Sequence, residues 1–165
     1  MSDSHGGAQI TQRAANMLVD QGADVLLHLG DIGTAEVIES LLVAGPQAGQ
    51  IVPVRLVFGN TDWDEPALAR HARNLGIRVD HPTGRIELGA GVLKFMHGHD
   101  QRAMHQALQQ KVAYLCYGHT HTAADHRQGP TRLINPGALF RARQLSIGLL
   151  DTNRDELSFL QLTKG

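Results

Sequence analysis

The stretch Tyr117-Gly118-His119-Thr120-His121-Thr122 follows an apolar run over residues 112–116. Two histidines at positions i and i+2 of an extended segment point to the same side of the backbone. At the exit of a buried strand such imidazoles have fixed directions, which suits metal binding. A single pair of this kind also occurs without a function, so the other clusters of His and Asp have to decide between the two interpretations.

The composition indicates one soluble domain over residues 1–165. Hydrophobic residues make up 42% of the chain and charged residues 19%, which argues against disorder, and the sequence has no apolar run long enough to span a membrane. The net charge of -1 gives no broad attraction to nucleic acid or acidic lipid. The single cysteine, Cys116, and the lack of an export leader at the N-terminus predict a cytoplasmic protein.

Polar residues recur where apolar runs end. Runs over 24–31, 51–58 and 91–96 deliver Asp31, Asn60, His97 and His99, and the opening Asp3-Ser4-His5 adds a carboxylate and an imidazole. Helical patterns alternate with the first strands, and the last part of the chain reads as short strands. Open α/β sheets place their ligands at such strand ends, so we expect these side chains to converge.

The collected donors suit two metal ions better than one. Seven nitrogen and oxygen ligands without a thiolate make a poor structural zinc site and are too many for one tetrahedral ion. If Asp31 bridges, one ion receives Asp3, His5, Asp31 and His121, and the other receives Asn60, His97, His119 and Asp31. Open positions then remain for a bridging hydroxide and a substrate oxygen.

The charge of this site favours a phosphate substrate. Two divalent ions outweigh the carboxylates of Asp3 and Asp31, and the neutral Asn60 leaves the excess positive charge in place. Mixed imidazole and carboxylate ligands are compatible with Mn, Fe, Zn, Co or Ni, among which ligand type does not choose. We take manganese as the first candidate.

The ordered motifs resemble those of the calcineurin-like metallophosphoesterases, and in size the chain is similar to the small bacterial and archaeal phosphodiesterases of the YfcE type. The matching stretches are Ser2-Asp3-Ser4-His5-Gly6, His28-Leu29-Gly30-Asp31, Phe58-Gly59-Asn60-Thr61-Asp62, Met96-His97-Gly98-His99, Gly118-His119-Thr120-His121 and Ile134-Asn135-Pro136-Gly137. The resemblance implies a four-layer α/β/β/α sandwich of two mixed sheets, with the dinuclear site on one edge. It also implies the ligand assignment above and attack on phosphorus by a metal-bridging hydroxide.

Two departures from that family pattern change the expectations. Larger members carry a histidine after the motif asparagine, where this chain has Thr61, which predicts weak turnover of esters with poor leaving groups unless His99 or a water donates the proton. Family members also have an apolar strand before Asp-x-His, whereas only Met1 and Ser2 precede it here. We therefore expect a fraying terminus and a weaker metal site at Asp3 and His5, or a start further upstream.

The remaining histidines are assigned plainer roles. His99 is assigned either to substrate contact or to support of a metal-bound histidine, and with Asp31 and Asn60 it forms the catalytic candidates. His28 is predicted to be a buried, hydrogen-bonded side chain. The surface set is His71, His81, His105 and His126.

A second function from a different class remains open. Some relatives of this fold act as interaction scaffolds with weak or lost catalysis, as the retromer subunit Vps29 does. Filled ligand positions favour a phosphodiesterase acting on a small substrate, and the short N-terminus favours the scaffold. A nuclease ranks last because the chain has only four Phe, one Trp and two Tyr for stacking. A homodimer is an additional expectation.

Overall fold

The computed structural model describes residues 1–47 and 49–163. Over these ranges the chain forms four helices and ten strands. The helices are α1 (Ala8–Asp20), α2 (Ala35–Ser40), α3 (Glu65–Asn74) and α4 (Gln101–Gln109). The strands are β1 (Leu26–His28), β2 (Val54–Leu56), β3 (Arg78–Val79), β4 (Thr83–Leu88), β5 (Gly91–Met96), β6 (Tyr114–Tyr117), β7 (Ala124–Gln128), β8 (Thr131–Asn135), β9 (Leu145–Asp151) and β10 (Glu156–Leu162).

The strands form one large mixed sheet and two smaller sheets. The large sheet has the order β4-β5-β6-β8-β7, in which β5, β6 and β8 run parallel and the outer strands run antiparallel. Strands β1, β2 and β3 form a parallel sheet, and β9 pairs with β10 as an antiparallel hairpin. Because β1 and β2 are parallel, as are β5 and β6, the loops at their carboxyl ends open toward common edges.

Three apolar clusters separate the layers. The largest packs the helices α1, α2 and α3 against the small sheets, with Leu56, Ile38 and Ile147 fully buried. A second cluster, around Phe95 and Val57, lies between the small sheets and the large one. The third packs α4 on the outer face of the large sheet around Leu115. The resulting order of helices, sheet, sheet and helix confirms the predicted four-layer α/β/β/α sandwich.

The first residues of the chain are tied into this arrangement. The Met1 ammonium donates to the Leu27 carbonyl at 3.0 Å, and the Leu29 N–H donates to the Met1 carbonyl at 3.0 Å. On the opposite side, the Leu139 N–H donates to the Ser2 carbonyl at 3.2 Å. Residues 1–3 therefore lie between β1 and the segment that leads to β9, and the expectation of a fraying terminus is wrong because these backbone bonds hold it.

Among the helices of the described ranges, none has both the length and the apolar character that crossing a bilayer requires.

Candidate metal centre

The predicted site residues come from four strand exits and from the N-terminal segment. Asp31 follows β1, and Asn60 follows β2. His97 and His99 follow β5, and the pair His119 and His121 follows β6. The structure brings all of them, together with Asp3 and His5, to one edge of the sandwich.

One group of these side chains centres on His5. Its Nε2 lies 3.3 Å from Nε2 of His121 and 3.5 Å from Oδ2 of Asp31. Nε2 of His121 lies 3.3 Å from Oδ1 of Asp3. Asp3, His5 and His121 each point one ligand atom into a space in which these atoms lie within 4.8 Å of one another.

The other group centres on His97. Its Nε2 lies 3.1 Å from Oδ1 of Asn60 and 3.5 Å from Oδ1 of Asp31. The His119 ring stands edge-on to it, with 5.1 Å between ring centroids. The grouping of side chains is thus the one expected from the sequence, and their role as metal ligands stays a prediction.

Two carboxylates join the groups. Asp31 directs Oδ2 toward His5 and Oδ1 toward His97, so its oxygens face the two groups separately. Asp3 also lies within 4.8 Å of ligand atoms of both Asp31 and His97, in addition to its place beside His5 and His121. From the sequence, only Asp31 was predicted to be shared by the two groups, and the structure places Asp3 between them as well.

The backbone at these residues is unusual. Eight non-glycine residues of the described ranges have positive φ, and five of them are predicted ligands: Asp3, His5, Asp31, His119 and His121, with φ between 43° and 67°. Left-handed backbone is costly for residues with a Cβ and persists where surrounding structure fixes it, often at functional sites. The histidine pair therefore does not lie on an extended segment as predicted. It lies in a left-handed loop after β6, which sends one ring to each group.

Burial sets the charges of the centre. Asp3 and Asp31 are 0% and 3% exposed, and burial raises the pKa of Asp3. Burial alone would also raise the pKa of Asp31, but hydrogen bonds from His97 and Thr61 outweigh it and hold that pKa far below its usual range. Burial lowers the pKa of His97, and the neighbouring Asp31 carboxylate more than offsets this, so its pKa is raised. The two buried carboxylates thus lie among imidazoles, and their negative charge attracts protons or other cations to the centre.

Unsatisfied acceptors show that the centre fits cations. Oδ1 of Asp3 is buried and has no hydrogen-bond partner within the described part of the chain, which is costly for a carboxylate. Nδ1 of His97 donates to the Leu29 carbonyl at 2.8 Å, so Nε2, which faces Asn60 and Asp31, is the nitrogen that would bind a cation once its proton leaves. Transition metals commonly bind a histidine ring nitrogen of this kind, in which the other ring nitrogen is held by a backbone carbonyl.

The chain also matches the model of a known protein family. The model of the calcineurin-like phosphoesterase superfamily domain matches residues 1–155. The chain belongs to this superfamily. Two phosphodiesterases are similar to it over most of their length. MJ0936 of Methanocaldococcus jannaschii is 25% identical, covering 94% of this chain and 93% of that protein. YfcE of Escherichia coli K12 is 27% identical, covering 98% of this chain and 89% of that protein.

Solved structures share the phosphoesterase fold. A structure of an archaeal phosphodiesterase superposes with a TM-score of 0.85 at 23% identity and covers 98% of this chain and 97% of its own. Zinc-bound Vps29 from Entamoeba histolytica superposes with a TM-score of 0.62 at 23% identity and covers 91% of this chain and 81% of its own. Family membership and the phosphodiesterase relatives support a phosphoesterase function. The Vps29 likeness concerns the fold alone.

Backbone groups hold the predicted ligands in ways that the sequence did not reveal. The Thr61 N–H donates to Oδ1 of Asp31 at 2.9 Å, and its hydroxyl lies 3.4 Å from Nδ1 of His5. Thr61 thus occupies the position where larger members have histidine, and here it orients two predicted ligands. The Asp62 carboxylate accepts from the N–H groups of Gly59 and Gly33, both at 2.8 Å, and fixes this loop. An Asp two residues after the motif asparagine was the available signal for that role.

The histidines outside the ligand set have distinct surroundings. His28 is fully buried, with Nδ1 accepting from the Gly30 N–H and Nε2 2.8 Å from the Ser4 hydroxyl, which confirms the structural assignment. His99 is exposed, and its ring centroid lies 5.4 Å from that of His97 and 6.2 Å from that of His119. Burial and the charges of those two neighbours lower the pKa of His99. His81 lies at the surface as predicted, but it also lines a cavity beside the centre.

Proposed function

We propose that this protein is a dinuclear-metal-dependent phosphodiesterase that hydrolyses small phosphate diesters. The observation that carries the proposal is the convergence of two buried carboxylates and four imidazoles in two connected groups, with one carboxylate oxygen left without a partner. Asp3, His5, Asp31 and His121 would hold one ion, and Asn60, His97, His119 and Asp31 the other. At those positions divalent ions supply an activated water and positive charge for the phosphate oxygens.

The charge balance supports a phosphate ester as substrate. Two divalent ions carry four positive charges, and the carboxylates of Asp3 and Asp31 neutralise about two of them. Asn60 contributes an amide oxygen without further charge. The remaining positive charge is suited to the single negative charge of a diester, and the exposure of Asn60 and His119 leaves the centre open to it.

The residues near the predicted leaving-group position suggest which esters are cleaved. Burial and the charges of His97 and His119 lower the pKa of His99, which disfavours the protonated form that would act as an acid for a leaving alkoxide. Thr61 supplies no acid in place of the histidine of larger members. We therefore expect aryl diesters, whose leaving groups need no proton, to be hydrolysed much faster than alkyl monoesters. Comparable rates on the two would refute this assignment.

The test of the function is hydrolysis of bis(p-nitrophenyl) phosphate with manganese, and then with Fe, Zn, Ni and Co in turn. His119→Ala should abolish turnover, since it removes a ligand that lies beside His97. The control His105→Ala removes an exposed imidazole on α4 and should leave turnover unchanged. If the wild type shows no hydrolysis with any of these metals, the proposal fails and a role as an interaction scaffold gains support.

The cellular setting forms part of the proposal. A cytoplasmic enzyme that acts on a small diester, as a monomer or homodimer, agrees with the single cysteine and the near-neutral charge of the chain. Large nucleic acids are poor candidates, because a net charge of -1 provides no extended basic surface for a phosphate backbone.

A further inference from the structure

An exposed tryptophan stands beside the candidate metal centre. Trp63 is the only tryptophan of the chain, and it is 92% exposed. It lines a cavity of about 510 Å³ that also includes Asn60, His97 and His99. That volume falls within the usual range for a small-molecule site. At the mouth of this cavity the indole offers a flat aromatic face to a molecule that binds at Asn60 and His97.

The backbone at Trp63 is held by its neighbours. On one side, the Asp62 carboxylate is anchored by the N–H groups of Gly59 and Gly33. On the other side, Asp64 caps α3 and accepts from the Ala67 N–H at 3.2 Å. The backbone of Trp63 is therefore held between two anchored residues, so its exposure does not come from a loose loop.

The charges around the cavity restrict what can bind there. Within the part of the chain that the structure describes, the lining residues include Asp62, Glu65 and Asp100, and no Lys or Arg is among them. Asp100 accepts from the N–H groups that begin α4, and Glu65 lies 3.3 Å from Nε2 of His81. Away from the predicted ions at Asn60 and His97, a second phosphate or a carboxylate on the substrate would meet these carboxylates without a Lys or Arg. The group that enters beside Trp63 is thus not an anion.

We infer that Trp63 is a stacking platform that selects phosphodiesters carrying a planar aromatic group without a negative charge. This specificity rests on the proposed phosphodiesterase function and names its substrate class. The phosphate would lie at Asn60 and His97, and the aromatic group would lie along the cavity against the indole. Stacking on an aromatic side chain tolerates different ring systems because each presents a π face.

Fluorescence tests the inference without turnover. Since Trp63 is the only tryptophan, all indole emission comes from this position. Phenyl phosphate should quench it saturably, and cyclohexyl phosphate, which has equal charge and similar size but no π face, should not at the same concentrations. Titrations with and without manganese separate stacking from the contribution of the ions. Equal responses to both compounds, or no response to either, would overturn the inference.

Inhibition of bis(p-nitrophenyl) phosphate hydrolysis provides the second measurement. In the wild type phenyl phosphate should inhibit roughly tenfold better than cyclohexyl phosphate. That preference should disappear in Trp63→Ala and Trp63→Leu and persist in Trp63→Phe. Ile51→Ala, which removes an apolar side chain 51% exposed elsewhere, should keep the wild-type preference.

The two proposals fail in different ways. Active Trp63→Ala enzyme with an unchanged preference would refute stacking and leave the phosphodiesterase assignment standing. Selective quenching by phenyl phosphate in a protein that hydrolyses no diester would refute the assignment and keep the aromatic site.

Discussion

Asp3→Asn tests whether the buried Asp3 carboxylate lowers the stability of the metal-free protein and raises its stability when metal is present. Asp3 is fully buried; its Oδ2 accepts from the His119 N–H at 3.1 Å, and Oδ1 has no partner within the described ranges. An asparagine can keep its oxygen on that N–H and direct its amide nitrogen to Nε2 of His121, which lies 3.3 Å from the present Oδ1. The substitution therefore removes a buried charge and places an N–H donor beside Nε2 of His121.

The expected effect changes sign with metal. A buried unsatisfied polar group costs about 1–3 kcal/mol, so without metal we expect Asp3→Asn to gain about 1 kcal/mol of unfolding free energy, or roughly 2–4 °C in melting temperature. With manganese at about 100 times its dissociation constant, the wild type gains about 2.7 kcal/mol. If the variant binds manganese tenfold more weakly, its unfolding free energy rises by only about 1.4 kcal/mol. The stability advantage of the variant over the wild type is therefore predicted to shrink or to reverse.

The assay is urea unfolding followed by circular dichroism, in chelator and then in buffered manganese. Asp24→Asn makes the same change at an exposed carboxylate. It should change the unfolding free energy little, and by the same amount in chelator and in manganese. An Asp3→Asn protein that is destabilised by the same amount with and without metal would refute the reasoning. Asp3 would then be an ordinary structural carboxylate.

Two further predictions concern the surroundings of the centre. Burial lowers the pKa of His28 from 6.5 to about 3, so the stability that neutral His28 provides is complete above its unfolded pKa and is lost as pH falls toward 3. Relative to His28→Gln, the wild type should lose about 2 kcal/mol between about pH 8 and pH 5 in urea unfolding, and a constant difference would contradict this. Gly59→Ala places a Cβ against the Asp31 carboxylate and backbone, so it should cost about 1–3 kcal/mol and most manganese affinity. The control Gly89→Ala has open space around its Cβ and should change neither stability nor manganese affinity. Calorimetric titration with manganese compares the two variants. Tight manganese binding by Gly59→Ala would show that the predicted clash with Asp31 does not occur.

The sequence was sufficient for the fold class and for bringing the predicted ligands together. Asp31, Asn60, His97 and His119 each follow an apolar run, and parallel strands deliver such residues to one edge. The ends of strands were less predictable. The run over 51–58 forms a strand only at Val54–Leu56, because its first residues instead bridge to Ala44. Apolar runs mark burial, and backbone pairing decides how much of each becomes strand.

Contacts made by main-chain groups lay beyond the sequence. The Leu29 carbonyl that orients His97 and the Thr61 N–H that binds Asp31 are carried by every residue type, so no side-chain pattern signals them. The same holds for Met1, whose terminal ammonium and carbonyl bond to β1. Expecting that segment to fray followed from its position in the chain, whereas its burial and hydrogen bonds decide its order.

The centre concentrates the unfavourable features of an otherwise well-packed molecule. Left-handed φ at five predicted ligands costs about 1–2 kcal/mol for each, and Asp3 adds a buried oxygen without a partner. The apolar clusters on both sides offset these costs, since fully buried Phe58 and Phe95 lie in the layers that flank the centre. A purely structural role would have given Oδ1 of Asp3 a hydrogen-bond donor, as Oδ2 has one in the His119 N–H. Here His5 and His121 bring ring nitrogens to 3.3 Å and Asn60 directs its oxygen at His97, an arrangement that becomes favourable when cations lie between these acceptors.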